Sequence, residues 1–499
     1  MKKIFLLLFC LIICRSVLQA QTTKSAAKLT LENEISSLKK DPTLRNAAWG
    51  LYVYNITTSQ PEAELNSQMS LMPASAIKIL TTATALALLG NDFRFETTLQ
   101  TIGFIDTVTG TLQGNLYLCG GGDPTLGSKR FDASVNADTV FSKFARALLK
   151  SGIRRVEGQL IGDESIFDDR IPQSWAYEDI GNYYAPPVCG LSINENMYRL
   201  YFDAGETIGD SARLTDVQPE MPDMTFVNMV TTGAAGTGDQ IYILGNPYTT
   251  LRILDGTLPL GKTHFDIDGA LPDPAMACVQ QFMSVLKRHG IEVTGGTTTL
   301  RKERWQGTPD TTSAANRRFI AKHLSPTLNQ IIVHTNLKSI NMFAEHILKM
   351  IGAKKTGTGS TQQGIAMIRQ YWISKGIDLK GFEMFDGSGL SRKNKITPQQ
   401  LCRILAVFKN ESSYKSFKAS LPVAGKNGGV GSMLKGTVAE NNLCAKTGTM
   451  DDVRAYAGYV TNTTGEELAF AIIINNFTGP GVDIRKKCEK LMLLFAQLD

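Results

Sequence analysis

The strongest constraint on this chain is an apolar helix that opens with a hydroxyl and an amine. After Pro73, the run Ser75–Leu89 is rich in Ala, Leu, Ile and Thr and stops at Gly90. That pattern predicts a helix buried on all sides and ended by glycine. Lys78 sits inside the run. A buried ammonium is costly, so the fold must either pair this lysine or lower its pKa. Helical residues three apart share a face, so Ser75 and Lys78 point the same way. The helix start adds unpaired N–H groups and the positive end of the dipole, which favour an anion developing at Ser75. A serine hydroxyl becomes nucleophilic when a neighbouring base takes its proton, and a neutral lysine is such a base. Alone, the pair would read as an ordinary N-cap serine and a solvated lysine.

Two later segments change that reading. Ser339-Ile340-Asn341 precedes the helix-forming run Met342–Glu345, where a hydroxyl and an amide could face Lys78 and relay a proton to a leaving amine. Lys446-Thr447-Gly448-Thr449 comes just before two strand patterns and reads as an edge strand. Lys446 is the natural second cation to depress Lys78 further. With the hydroxyls of Thr447 and Thr449 it offers a donor-rich site for a carboxylate. Gly448 would let a substrate backbone lie close. The N–H groups of Ser75 and Thr449 could form an oxyanion hole, in which one donor is worth about 3–4 kcal/mol of barrier.

The spacing implies an excursion, because residues 79–338 separate the first two segments. Residues 22–46 read as a lead-in helix. Ala47–Asn55 and Ala63–Asn66 read as a hairpin turning at Thr57–Pro61. From 96 to 305 the chain shows short strand-like runs, Thr109–Cys119, Val156–Ile161, Met197–Phe202, Gln240–Leu244 and Glu292–Leu300, with helical segments Asp138–Ser151 and Pro274–His289. This predicts a mainly-β insert of one or two small domains. Helical spacing returns over Leu328–Gly352, Thr361–Gly376 and Thr397–Lys409. Strands Val453–Thr461 and Glu467–Asn475 and a helix at Val482–Leu498 follow. Strands from both chain ends, with helices between, suggest an α+β fold: an antiparallel sheet covered by helices, formed by 21–95 and 306–499.

Residues 1–20 have the pattern of a secretory signal peptide: Lys2 and Lys3, an apolar Ile4–Cys14, and a small residue, Ala20, before Gln21. The apolar run is short for a permanent membrane span, so export and a periplasmic location are expected. Losing Lys2, Lys3 and Arg15 takes the net charge from +6 to +3, too small an excess to argue for nucleic acid. Of 8 cysteines, Cys119, Cys189, Cys278, Cys402, Cys444 and Cys488 would remain, widely spread and read as buried thiols rather than a disulfide framework. The 5 histidines show no metal-ligand spacing.

The chain resembles the low-molecular-mass class C penicillin-binding proteins, the D-alanyl-D-alanine carboxypeptidase/endopeptidase family. The resemblance rests on the three motifs in order. It also rests on Gly122-Asp123-Pro124-Thr125-Leu126, Ala185-Pro186-Pro187, Leu191–Asn196, Ser325–Leu328, Asp386–Arg392 and Leu421–Gly425. It implies a penicillin-binding-protein/β-lactamase-like five-stranded sheet with a long insert. It further implies attack by Ser75 on the bond between two D-alanines of a peptidoglycan stem peptide, with Lys78 as base and Ser339 and Asn341 relaying the proton. Lys446, Thr447 and Thr449 would bind the terminal carboxylate. β-Lactams would acylate Ser75, and no metal or other cofactor would be needed. Asp386–Arg392 is expected to be a structural turn. Gly428-Gly429, where the family often has Gly-Thr, and Met450, where Leu is usual, are not expected to touch the chemistry. A class A β-lactamase shares the motif order, but it has a short span between the first two and needs a Glu on a separate loop, for which helical Glu345 is poorly placed. A non-catalytic peptidoglycan-binding protein would not need the Ser75–Lys78 pair.

Overall fold

The structure, a computed structural model, describes residues 25–221, 223–310 and 313–499. The expected signal peptide, with Cys10 and Cys14, lies outside the described residues. Ser25 caps the lead-in helix α1 (Ala26–Leu38) by accepting the Lys28 N–H at 3.1 Å. The hairpin is β1 (Ala48–Asn55) and β2 (Gln60–Leu65). From the other end of the chain come β3 (Cys444–Met450), β4 (Val453–Thr461) and β5 (Glu467–Asn475). They form one antiparallel sheet in the order β3-β4-β5-β1-β2, with β3 at a free edge.

Strand alternation sorts the sheet's side chains onto two cores. Tyr52, Tyr54, Ala455, Ala457, Ala471 and Ile473 face the larger core. That core also holds α2 (Lys78–Leu89), α3 (Leu328–Leu337), α4 (Asn341–Thr356), α5 (Thr361–Ser374) and α6 (Pro398–Phe408). Trp49, Leu51, Val53, Tyr456, Phe470 and Ile472 face the other way, against α1 and the terminal helix α7 (Gly481–Ala496). The expected helix over Leu328–Gly352 is two helices. The chain breaks at Lys338–Ile340, where Ser339 takes φ +57.

The insert has its own core, built around Phe141, Phe144 and Phe282 of its two long helices. Three runs expected as single strands each divide. Thr111–Gln113, Arg155–Glu157 and Glu292–Val293 join one sheet, while Leu116–Cys119, Leu160–Asp163 and Thr297–Thr299 join another. Glycines make the corner, because the backbones pass too close for side chains. A Cβ on Gly158 would lie 2.2 Å from the Gly114 carbonyl oxygen, and one on Gly295 would lie 2.5 Å from that of Gly158. Strand Arg318–Leu324 pairs with Glu96–Thr101, so the excursion continues past residue 305 and returns near Leu324. Cys189, Cys278, Cys402, Cys444 and Cys488 are buried free thiols, and Cys119 is half-buried.

Candidate active site

Ser75 lies not in the first turn of an α-helix but in a tight 3-10 turn, Ala74–Ile77, that leads into α2. Two backbones grip this turn. Gly389 has φ +87, and a Cβ there would stand 2.1 Å from the Ala74 carbonyl oxygen. A Cβ on Gly448 of β3 would stand 2.2 Å from the Pro73 carbonyl oxygen. Gly448 therefore makes room for the turn that carries Ser75. Ala74 itself has φ +45, a strained value for a residue with a side chain.

Lys78 is fully buried. Its Nζ donates to Ser75 Oγ at 2.9 Å, to Asn341 Oδ1 at 2.6 Å and to the Ser388 carbonyl at 2.5 Å. Burial lowers its pKa to about 7, against the opposing pull of the carboxyls of Asp386 and Glu345. An amine at that pKa is present in both protonation states near neutrality. Lys446 Nζ donates to Ser339 Oγ at 3.0 Å and to the Thr447 carbonyl at 2.9 Å. Its pKa falls well below the ordinary lysine value, first through burial and then through the charge of Lys78. Burial is the first cause of the depression at both amines.

The edge strand does not point all its motif residues one way. Lys446 and Gly448 pair with Ala457 and Ala455 on the α2 side. Thr447 and Thr449 pair with Tyr456 and Arg454 and face α7. Lys446 thus meets Ser339 on one face, while the threonines meet solvent and α7 on the other, straddling the free edge. Gly429 does touch this group, contrary to expectation: a Cβ there would lie 2.3 Å from Thr447 Oγ1.

Several neighbours of the cluster escaped the sequence reading. Glu345 lies one turn after Asn341 on α4 and is fully buried; its Oε1 accepts the Ser388 N–H at 2.7 Å. Burial and the nearby Asp386 carboxyl push it up to about 8. Asp386 accepts from Gly389 N (2.8 Å), Ser391 N (2.6 Å), Asn394 Nδ2 (2.7 Å) and Trp175 Nε1 (2.8 Å). Asp386–Arg392 is thus a structural turn, and it also delivers the Ser388 carbonyl to Lys78. The insert supplies a wall: the Tyr184 carbonyl accepts from Asn341 Nδ2 at 2.8 Å. Along α4, His346 Nε2 meets Ser192 Oγ and the Cys189 carbonyl, and Lys349 meets the carbonyls of Asp168 and Arg170. One helix therefore carries Asn341 and fixes the insert against it.

A model of the D-Ala-D-Ala carboxypeptidase 3 (S13) family matches residues 31–497. The chain belongs to that family. It is 31% identical over 472 residues to a D-alanyl-D-alanine carboxypeptidase of Actinomadura sp. (strain R39), covering 91% of this chain and 83% of that one. It is 26% identical to the D-alanyl-D-alanine carboxypeptidase DacB of Haemophilus influenzae, over 89% of this chain and 88% of that one. The crystal structure of penicillin binding protein 4 from Haemophilus influenzae superposes with a TM-score of 0.76 at 24% identity, covering 92% of this chain and 97% of that one. The S13 chain is therefore a serine-type D-alanyl-D-alanine carboxypeptidase on the expected penicillin-binding-protein fold.

Proposed function

We propose that Ser75 is the nucleophile of this peptidase and Lys78 its general base. The observation that carries the reading is the fully buried Lys78 amine held 2.9 Å from Ser75 Oγ with its pKa near 7. Ser75 Oγ attacks the carbonyl of the penultimate D-alanine of a peptidoglycan stem peptide while its proton passes to Lys78. The N–H groups of Ser75 and Thr449 hold the oxyanion. The C–N bond then breaks. The departing D-alanine amine takes the proton that Lys78 received, by way of Ser339, which Lys446 contacts at 3.0 Å. Asn341 orients Lys78 and the substrate amide; Thr447 and Thr449 bind the terminal carboxylate at the edge of β3, beside Gly448. Water then hydrolyses the Ser75 ester and restores the hydroxyl.

β-Lactams, whose strained amide mimics that peptide bond, acylate Ser75 in the same reading; the Haemophilus influenzae protein has been solved complexed with one. The leader pattern supports a periplasmic site of action. Among the described residues no helix is long and apolar enough to cross a membrane. A soluble peptide ending in D-Ala-D-Ala tests the reading. The chain should release D-alanine, and Ser75→Ala should abolish release. Release that persists in Ser75→Ala would overturn the assignment.

A further inference from the structure

Beyond Thr447 and Thr449 the sheet edge opens into a cleft of about 340 Å³, lined by Gly429, Tyr456, Gly481, Val482, Arg454 and Arg485. Its charge is one-sided, because both ionised side chains in its wall are arginines. Arg454 stands across from Thr449 in the β3–β4 register. Its Nη1 is held by the carbonyls of Met450 (2.8 Å) and Val453 (2.7 Å), and its guanidinium lies over the Phe477 ring. Its Nη2 lies against Gly481, where a Cβ would collide. Arg485 reaches in from α7 and is steadied by Ser432 Oγ. Among the described residues neither arginine makes an ion pair. The nearby acids are engaged elsewhere, Asp483 beside Lys486 and Glu489 on the Leu434 N–H.

Half-buried guanidinium groups normally find carboxylates, and two that converge on an open cleft without one form an anion site. A single substrate carboxylate at Thr447 and Thr449 leaves this charge unused. Gly429 keeps the passage open, since a side chain there would meet Thr447. We propose that this cleft is a subsite for a second carboxylate, carried on the side chain of the departing D-amino acid. The inference rests on the reading of Ser75, Thr447 and Thr449 above. It makes the preferred substrate a peptide whose leaving group is larger and more acidic than D-alanine.

Matched peptides with the same acyl part test it, one ending in D-glutamate or its longer homologue D-2-aminopimelate, the other in the corresponding uncharged side-chain amide. The wild-type chain should favour the acid by about tenfold in kcat/KM, the size of one charge-assisted contact. In Arg454→Gln and Arg485→Gln the ratio should fall toward one, through KM, and Arg485→Lys should restore part of it. Penicillin adduct formation counts the folded sites in each preparation. Equal rates on acid and amide in the wild type would overturn the proposal. So would arginine variants that lose both peptides equally, which would assign the arginines to the shared α-carboxylate. A wild-type chain that penicillin does not acylate would remove the Ser75 reading and this proposal with it. One that is acylated but does not discriminate would remove this proposal alone.

Discussion

The pH dependence of acylation tests the role given to Lys78. The neutral amine is the active form, so the rate rises with pH until Lys78 is deprotonated. With burial holding the pKa at about 7, roughly one-tenth of the sites are competent at about pH 6 and nine-tenths at about pH 8. The second-order rate of penicillin acylation, followed by stopped flow with a fluorescent penicillin, should therefore rise about tenfold over that interval and then level off. An unperturbed lysine would instead give about a hundredfold rise with no plateau below about pH 10. That profile would refute the reasoning.

Gly448→Ala should block acylation while leaving most of the sheet intact, because its Cβ would push β3 off the Pro73 carbonyl; adduct yield beside a circular-dichroism melt reads both effects. Asp386→Ala strands the donors of Gly389, Ser391, Asn394 and Trp175, and should cost on the order of 3–5 kcal/mol in urea unfolding. Lys78→Met should change how stability depends on pH. With its pKa lowered, folded Lys78 binds fewer protons than unfolded Lys78 between about 7 and 10.5, so its contribution to stability rises with pH through that window. The mutant's unfolding free energy should lack that rise, and an unchanged slope would count against a buried neutral amine.

The polar cluster was legible where it lies in short runs. Ser75 and Lys78 stand three residues apart, one in the 3-10 turn and the other at the start of α2, and Ser339, Asn341 and Lys446 each stand in a compact motif. The antiparallel sheet and its helices followed from periodicity, because both depend on local alternation; the five-stranded form came from the family resemblance. The neighbours that tune the site were hidden, because they meet it only through tertiary contacts. Glu345 looked like one polar position on a helix, and nothing local tied Ser388 to Lys78. The break at Ser339 has no Gly or Pro to announce it, since the contact with Lys446 holds a non-glycine residue at positive φ. The opposite facing of Lys446 and Thr447 is legible from strand period alone. The pairing of Arg318–Leu324 with Glu96–Thr101 joins segments far apart in sequence, and no local pattern reports such a partner.

Intact-protein mass after incubation with a penicillin, for the chain lacking residues 1–20 and for its Ser75→Ala variant, tests the central claim most directly. A stable one-to-one adduct on the first and none on the second is the expected result. Rapid loss of the antibiotic without an adduct would indicate a β-lactamase. An adduct that survives in Ser75→Ala, or neither adduct nor antibiotic loss, would contradict Ser75 as the acylated nucleophile.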